Sequence, residues 1–363
     1  MKFLICGDTA IIDVKEQIEK NDIKTLFNDV AEVLKSGDRV IANIECALTD
    51  SDSAIKKLGP NLKTSVKCAE ILKEVGITDC SISNNHVFDY GVQGIKDTIE
   101  AFERNGLNYT GFGKNSEDAR KDLIIEKDSK RIAVIAVCEH EYCYSIENRM
   151  GTRAFDPYDT MDDIVKAKSE NDFVIVLYHG GKEQSVYPSP RLRKLCQSMV
   201  KHGADAVFCQ HSHCIGCYEE FNGGHILYGQ GNFHFIEEGE EHPHWQNGLI
   251  VKLDIDSKID IDFIPVVVRK KGIELAKDNE YEKIMQTLKK QSDDLHNGNW
   301  ILGWREFCEE NKEWYISAIK NAYVNDKGEF AKELFDHYLR CEAHKDVWDE
   351  LCKLSWEKDK SLY

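Results

Sequence analysis

Over roughly the first 270 residues, short β-branched runs alternate with stretches whose apolar residues recur every three or four positions. The runs KFLIC (2–6), RVIANI (39–44), TDCSIS (78–83), RIAVIAVC (131–138), FVIVLY (173–178) and DAVFC (205–209) predict buried strands. HILYG (225–229), LIVKLDI (249–255) and IDFIPVVV (261–268) follow without intervening helices. Between the earlier strands, SVKCAEILKEVG, GVQGIKDTIEAFERNG and PRLRKLCQSMVKHG carry apolar positions at helical spacing and end in glycine. Alternation followed by hairpin-like strands argues for a layered α/β sandwich.

The pattern changes after about residue 275. No proline follows Pro265, and five of the six tryptophans (Trp300, Trp304, Trp314, Trp348 and Trp356) fall in the last 64 residues. YEKIMQTLKKQ, WREFCEENKEWYISAIKNAY and EFAKELFDHYLRC have helical periodicity. This predicts a sandwich domain over 1–272 and an all-helical extension over 276–363, whose aromatics pack on one another rather than on a ligand.

Composition narrows the class. The 363 residues are 42% hydrophobic and 31% charged, as in an ordinary globular protein. A net charge of −17 opposes binding to a phosphate backbone, and no basic patch offsets it, so nucleic acid is not an expected partner. MKFLICGDTA reads as a first strand rather than a signal peptide. Every apolar run falls short of the roughly 20 residues that span a bilayer. The odd count of thirteen cysteines suits small buried hydrophobes in a reducing compartment, so a cytoplasmic location is expected.

The polar residues at the strand ends suggest chemistry. Asp8 follows the first strand, Glu45 the second, and Asn84, Asn85 and His86 the third. His179 ends FVIVLY, His211 and His213 follow DAVFC, and Asn232 follows HILYGQG. Ligands of open α/β sheets bind beyond the carboxyl ends of strands, where such side chains converge. Oxygen and imidazole donors suit Mn²⁺, Fe²⁺ or Zn²⁺. A carboxylate between two such ions can help generate a hydroxide nucleophile, and His86 can serve as general acid. On an extended chain His211 and His213 point the same way. Cys209 then packs as a hydrophobe, and Cys214 and Cys217 form a CxxC with no second pair to complete a zinc site. His140, His234, His242 and His244 are further candidates for the pocket rim.

Six motifs occur in one order: GD (7–8), NIECALTD (43–50), SNNHVFDYG (83–91), HGG from His179 with YPSPRLRKL (187–195), GADAVFCQHSHC (203–214) and YGQGNF (228–233). In these the chain resembles the CapA family of bacterial capsule or poly-γ-glutamate synthesis proteins, a branch of the calcineurin-like metallophosphoesterases. The resemblance covers about residues 1–240. It implies a four-layer α/β/β/α sandwich with a metal site at one edge. It also implies that Asp8 and His213 serve a first metal, that Glu45 bridges, and that Asn85, His179 and His211 complete a second. His86 would be the catalytic histidine. Asn84 and Asp89 would assist catalysis beside Asp8, while Asn43, Asn232, His140 and His234 would orient ligands or contact substrate.

Four positions depart from the wider superfamily. Ala10 stands where a histidine is usual, leaving the first site one ligand short and implying one or two ions. Glu45 replaces a bridging aspartate, Gly180 an aromatic, and Cys209-Gln210 a Gly-His pair. The expected function is that of a metal-dependent hydrolase or transferase acting on a phosphoester or an amide-containing small molecule or cell-surface polymer precursor. The alternatives are metal-independent acid–base chemistry on a peptide-like substrate (epimerisation or amide chemistry) and a non-catalytic role in assembling a polymer-synthesis complex. Homo-oligomer or partner contacts are expected through the Trp-rich helices.

Overall fold

The computed structural model describes residues 1–139, 142–236, 242 and 244–358. The principal elements run β1 (Lys2–Ala10), β2 (Arg39–Ile44), α1 (Cys68–Glu74), β3 (Asp79–Ser81), α2 (Gly91–Arg104), β4 (Asn108–Thr110), β5 (Leu123–Lys127), β6 (Lys130–Cys138) and α3 (Pro157–Glu170). They continue with β7 (Phe173–His179), α4 (Pro190–Lys201), β8 (Ala206–Gln210), β9 (Tyr218–Phe221), β10 (Gly224–Leu227), β11 (Asn232–Phe235), β12 (Asn247–Ile255), β13 (Ile259–Arg269) and β14 (Gly272–Leu275). Four long helices follow: α5 (Asp278–Asn297), α6 (Trp300–Ile319), α7 (Glu329–Arg340) and α8 (Glu342–Lys358).

Two sheets result. The first has the order β14-β13-β12-β1-β2-β3-β4, with β11 also pairing with β1; the second runs β9-β10-β8-β7-β6-β5. Period-2 side-chain parity sorts the core into layers. Phe3 and Ile5 of β1 meet Ile132, Val134 and Ala136 of β6 between the sheets. Leu4 and Cys6 face outward onto Leu26, Phe27, Ile71 and Phe102. Ala133, Ile135 and Val137 face the other way, onto Ile164 of α3 and Leu192 and Met199 of α4. Strands buried on both faces read as unbroken apolar runs, which is why these were legible. The architecture is the expected α/β/β/α sandwich, and each fully buried Leu or Ile adds about 1.5–3 kcal/mol.

Two of the helices named above lie outside the periodic stretches of the sequence. In α3 only Thr160, Ile164 and Ala167 are buried, so its apolar stripe is thin. Its start is nonetheless well specified: the Asp156 carboxylate accepts from the backbone N–H groups of Tyr158 and Asp159, and Pro157 occupies the first turn. The other, α8, follows α7 after the single extended residue Cys341.

The terminal helices share core with the sandwich. Ile284 and Leu288 of α5 join the layer between the sheets, and Leu295 and Trp300 join the outer layer over β7 and β8. Beyond them Trp304, Cys308, Tyr315, Tyr338 and Val347 form a separate aromatic core. Arg191 of α4 ties the two parts together, pairing with Glu139 and, at 2.9 Å, with Asp346 of α8. Burial raises the Asp346 carboxyl to about 6 against the pull of Arg191. Trp314, by contrast, is 65% exposed and belongs to no core.

Candidate metal centre

Asp8 reaches the centre through a fault in β1. The pairing of β1 shifts register around Asp8 against both β2 and β11, a bulge that re-aims the side chain. Gly7 permits it, because a Cβ there would lie 2.4 Å from the carbonyl oxygen of Gly231. Asp8 is wholly buried. Its Oδ2 accepts from the backbone N–H of His211 at 2.9 Å, and its Oδ1 from Asn43 Nδ2 at 2.8 Å.

Around it the strand ends assemble two three-residue groups with one member in common. Asp8, Glu45 and His213 offer donor atoms all within 4.8 Å of one another, and so do Glu45, His179 and His211. All five residues are buried. Among the described residues neither oxygen of Glu45 has a hydrogen-bond partner, although His179 Nε2 lies 3.3 Å from Oε1. Burial first, and then the Asp8 charge, push the Glu45 carboxyl well above its ordinary range. A wholly buried carboxylate without hydrogen bonds, beside a second carboxylate and three imidazoles, matches the donor set of a shared divalent cation.

The imidazoles are oriented by amides. His213 Nδ1 lies 2.8 Å from Asn232 Oδ1, whose own Nδ2 donates to the Trp245 carbonyl. His179 Nε2 is 2.8 Å from Asn85 Oδ1, while its Nδ1 is 3.1 Å from Asn43 Nδ2. Burial holds His179 down to about 4. Burial also works against the charge on His213, but Glu45 and Asp8 outweigh it and raise that group. His211 and His213 do not lie on extended chain. β8 ends at Gln210, and the two histidines have φ of 88° and 55°. The parity expectation is thus corrected: a left-handed turn, costing of order 1–3 kcal/mol per residue, brings the two rings to the centre.

His86 stands at the mouth. Its Nδ1 is 2.7 Å from Asp89 Oδ2, and Asp89 Oδ1 pairs at 2.5 Å with the buried Lys57. Burial lowers His86 to about 4, with Asp89 opposing. Asn84 does not line the cleft: its amide donates to Asn43 Oδ1 and the Ile44 carbonyl and accepts from the N–H groups of His86 and Val87. It braces the loop that presents its two neighbours.

Other candidates lie elsewhere. His234 is buried with its ring 5.1 Å from that of Phe27, among apolar neighbours and away from the cleft, which corrects its placement in the pocket. His242 and His244 face each other at 5.4 Å and do not line the cleft either. His140 lies outside the described residues. Cys209 packs in the outer core 3.6 Å from Cys196, and burial pushes the Cys214 thiol up to about 12. Gly180 lies against Glu139: a Cβ would stand 2.4 Å from its Oε2, leaving no room for the usual aromatic.

A cleft of about 360 Å³ opens over Asn85, His86 and His211. Its other walls are Lys57, Glu183, Trp314, Tyr315, His337 and His344, among others. The terminal helices therefore roof the site, contrary to the expectation that their aromatics serve packing alone. No strand-end signal marks these residues. Lys57 sits in a loop, and the roof residues become neighbours of the site only through tertiary packing.

Residues 2–237 match the family described as bacterial capsule synthesis protein PGA_cap. The chain is 32% identical over 231 residues to the capsule biosynthesis protein CapA of Bacillus anthracis, covering 61% of this chain and 56% of that protein. It is 31% identical over 228 residues to the PGA biosynthesis protein CapA of Bacillus subtilis (strain 168), covering 61% and 60%. The matches thus span less than two thirds of those relatives, and the terminal helices lie outside the family match.

Proposed function

The chain belongs to the PGA_cap family of bacterial capsule synthesis proteins, and from that membership and the Glu45 centre we propose a metal-dependent hydrolase or transferase. Its substrate would be a phosphoester or amide in a capsule or polyglutamate precursor, by analogy with the names of its relatives. The supporting observation is the Glu45 carboxylate, common to both donor groups, wholly buried and without a hydrogen-bond donor.

Asp8, Glu45, His179, His211 and His213 would hold divalent cations, which would supply Lewis-acid polarisation and activate a water. The chain's own residues do the rest. In the tautomer that donates Nδ1–H to Asp89, His86 keeps a lone pair on Nε2, and burial keeps the ring neutral. His86 thus accepts a proton from the attacking water or hydroxyl and returns it to the leaving group, with Asp89 steadying the transient imidazolium. Asn85, Asn43 and Asn232 hold the imidazoles in place.

Metal content by mass spectrometry, on protein purified without chelator, tests this reading. The wild type is expected to hold roughly one or two Mn, Fe or Zn ions per chain more than Asn85→Ala/His211→Ala, which should also lose turnover of phosphoester and amide panels. A wild type that takes up no ion after incubation with each would overturn it. A second reading draws on the opposed shifts of Glu45 and His86, upward and downward, which suit an acid and a base working without metal. Turnover that survives exhaustive chelation would favour it.

A further inference from the structure

We propose that His337, Cys341 and His344 form a separate cation site in the roof of the cleft, selective for a transition metal such as zinc. One donor atom from each of the three lies within 4.8 Å of the others. Tetrahedral zinc, with bonds of about 2.3 Å to sulfur and about 2.0 Å to nitrogen, holds its donors roughly 3.3–3.7 Å apart, so small side-chain rotations suffice. The site does not depend on the chemistry proposed for Glu45. It lies outside the residues that match the family.

The sequence places these donors locally. His337 occupies the last turn of α7, and Cys341 follows four residues on, one helical turn away. Cys341 is extended, with ψ of 124°, which ends α7 and starts α8 in a new direction. His344 then stands in the first turn of α8. Cys341 is 1% exposed, while both histidines are half-buried.

The surroundings orient both rings. The Tyr315 hydroxyl lies 2.6 Å from His344 Nδ1; in the tautomer that donates to that oxygen, Nε2 carries the lone pair. Tyr338 stacks on His344 at 4.2 Å, Tyr142 stacks on His337 at 5.8 Å, and the two imidazoles meet edge-on at 5.1 Å. Two imidazoles and a thiolate without a carboxylate favour zinc, cobalt or copper over magnesium or calcium. Three protein ligands leave a fourth position open, and all three line the cleft shared with His211 and Glu183. That position would take a water or an anionic group of whatever occupies the cleft.

Cobalt titration of the full chain separates this site from the Glu45 centre, whose donors are oxygen and nitrogen only. A thiolate-to-cobalt charge-transfer band is expected in the wild type and in His211→Ala. Cys341→Ser should lose the band and bind about one cobalt fewer per chain. Absence of the band at saturating cobalt, or its full persistence in Cys341→Ser, would show that the cluster is aromatic and sulfur packing alone. Should Cys341→Ser fail to fold by near-ultraviolet circular dichroism, His337→Gln at a half-buried position decides by the same two readouts.

Discussion

Two groups of donors border one cleft and are built in opposite ways. The Glu45 centre draws Asp8, Glu45, His179, His211 and His213 from the ends of four strands and exists only when two sheets are in register. The His337 group spans eight residues and needs only a helix junction. The first is buried and electrostatically stressed, with a carboxylate that its surroundings resist ionising. The second is partly open and surrounded by aromatic rings. Long-range assembly can hold unfavourable groups together because many buried strands over-determine their positions. A local motif has no such reserve, and its two imidazoles sit where solvent still reaches.

Replacing Glu45 by Gln strikes the stressed centre directly and should have the largest effect. Turnover is expected to fall by about 4 kcal/mol of barrier, roughly a thousandfold, with retained metal lost in parallel. The metal-free variant should melt higher than metal-free wild type, because the buried carboxylate beside Asp8 is gone. A lower metal-free melting temperature would deny that the centre is strained.

Lys57→Met tests whether the stress extends to the mouth. It leaves Asp89 without its buried cation and should destabilise the fold by about 3 kcal/mol, read by urea unfolding. The Lys57 charge also opposes protonation of His86, so the acid limb of the pH–rate profile should move upward. An unchanged profile would remove Lys57 from the site.

His234 offers a control away from both groups. Burial lowers it to about 4 from an ordinary 6.5, so between those values the unfolded chain binds a proton that the folded chain excludes. Stability is therefore lost as pH falls from 6.5 towards 4, by about 3 kcal/mol in the limit. His234→Leu should flatten that slope when unfolding is compared at pH 7 and pH 5; an equal slope would mean that the ring is not held neutral.

The smallest effect is expected in the roof. Trp314→Ala removes an exposed ring that lines the cleft, so stability should change by less than about 0.5 kcal/mol. KM for the precursor should rise several-fold with kcat held, a split that kinetics on the panel above would show. An equal fall in kcat would make the roof part of the chemistry and weaken the contrast between the two groups.

Much of this was legible because it is written in local pattern. Short, β-branched runs such as RIAVIAVC and FVIVLY read as strands covered on both faces, and polar residues at their carboxyl ends gather at one edge of the sandwich. Their position after the strand DAVFC marks His211 and His213, but parity does not explain how they converge: it requires an extended chain, and the observed φ values show a left-handed turn. His234 lies inside β11, two residues after the site residue Asn232, yet its ring packs 5.1 Å from that of Phe27 in the apolar core. Alternation tells which face a residue takes but not what lies across from that face.

The amino-acid sequence alone determined the order of elements, the two-sided burial of the central strands and the convergence of carboxylate, amide and imidazole at their ends. These follow from side-chain size, period and charge, which act over a few residues. Tertiary structure alone decided that Gly7 admits a bulge against Gly231, that Lys57 lies behind His86, and that α7 and α8 roof the cleft. Those outcomes depend on contacts between residues far apart in the chain, for which no local periodicity carries a signal.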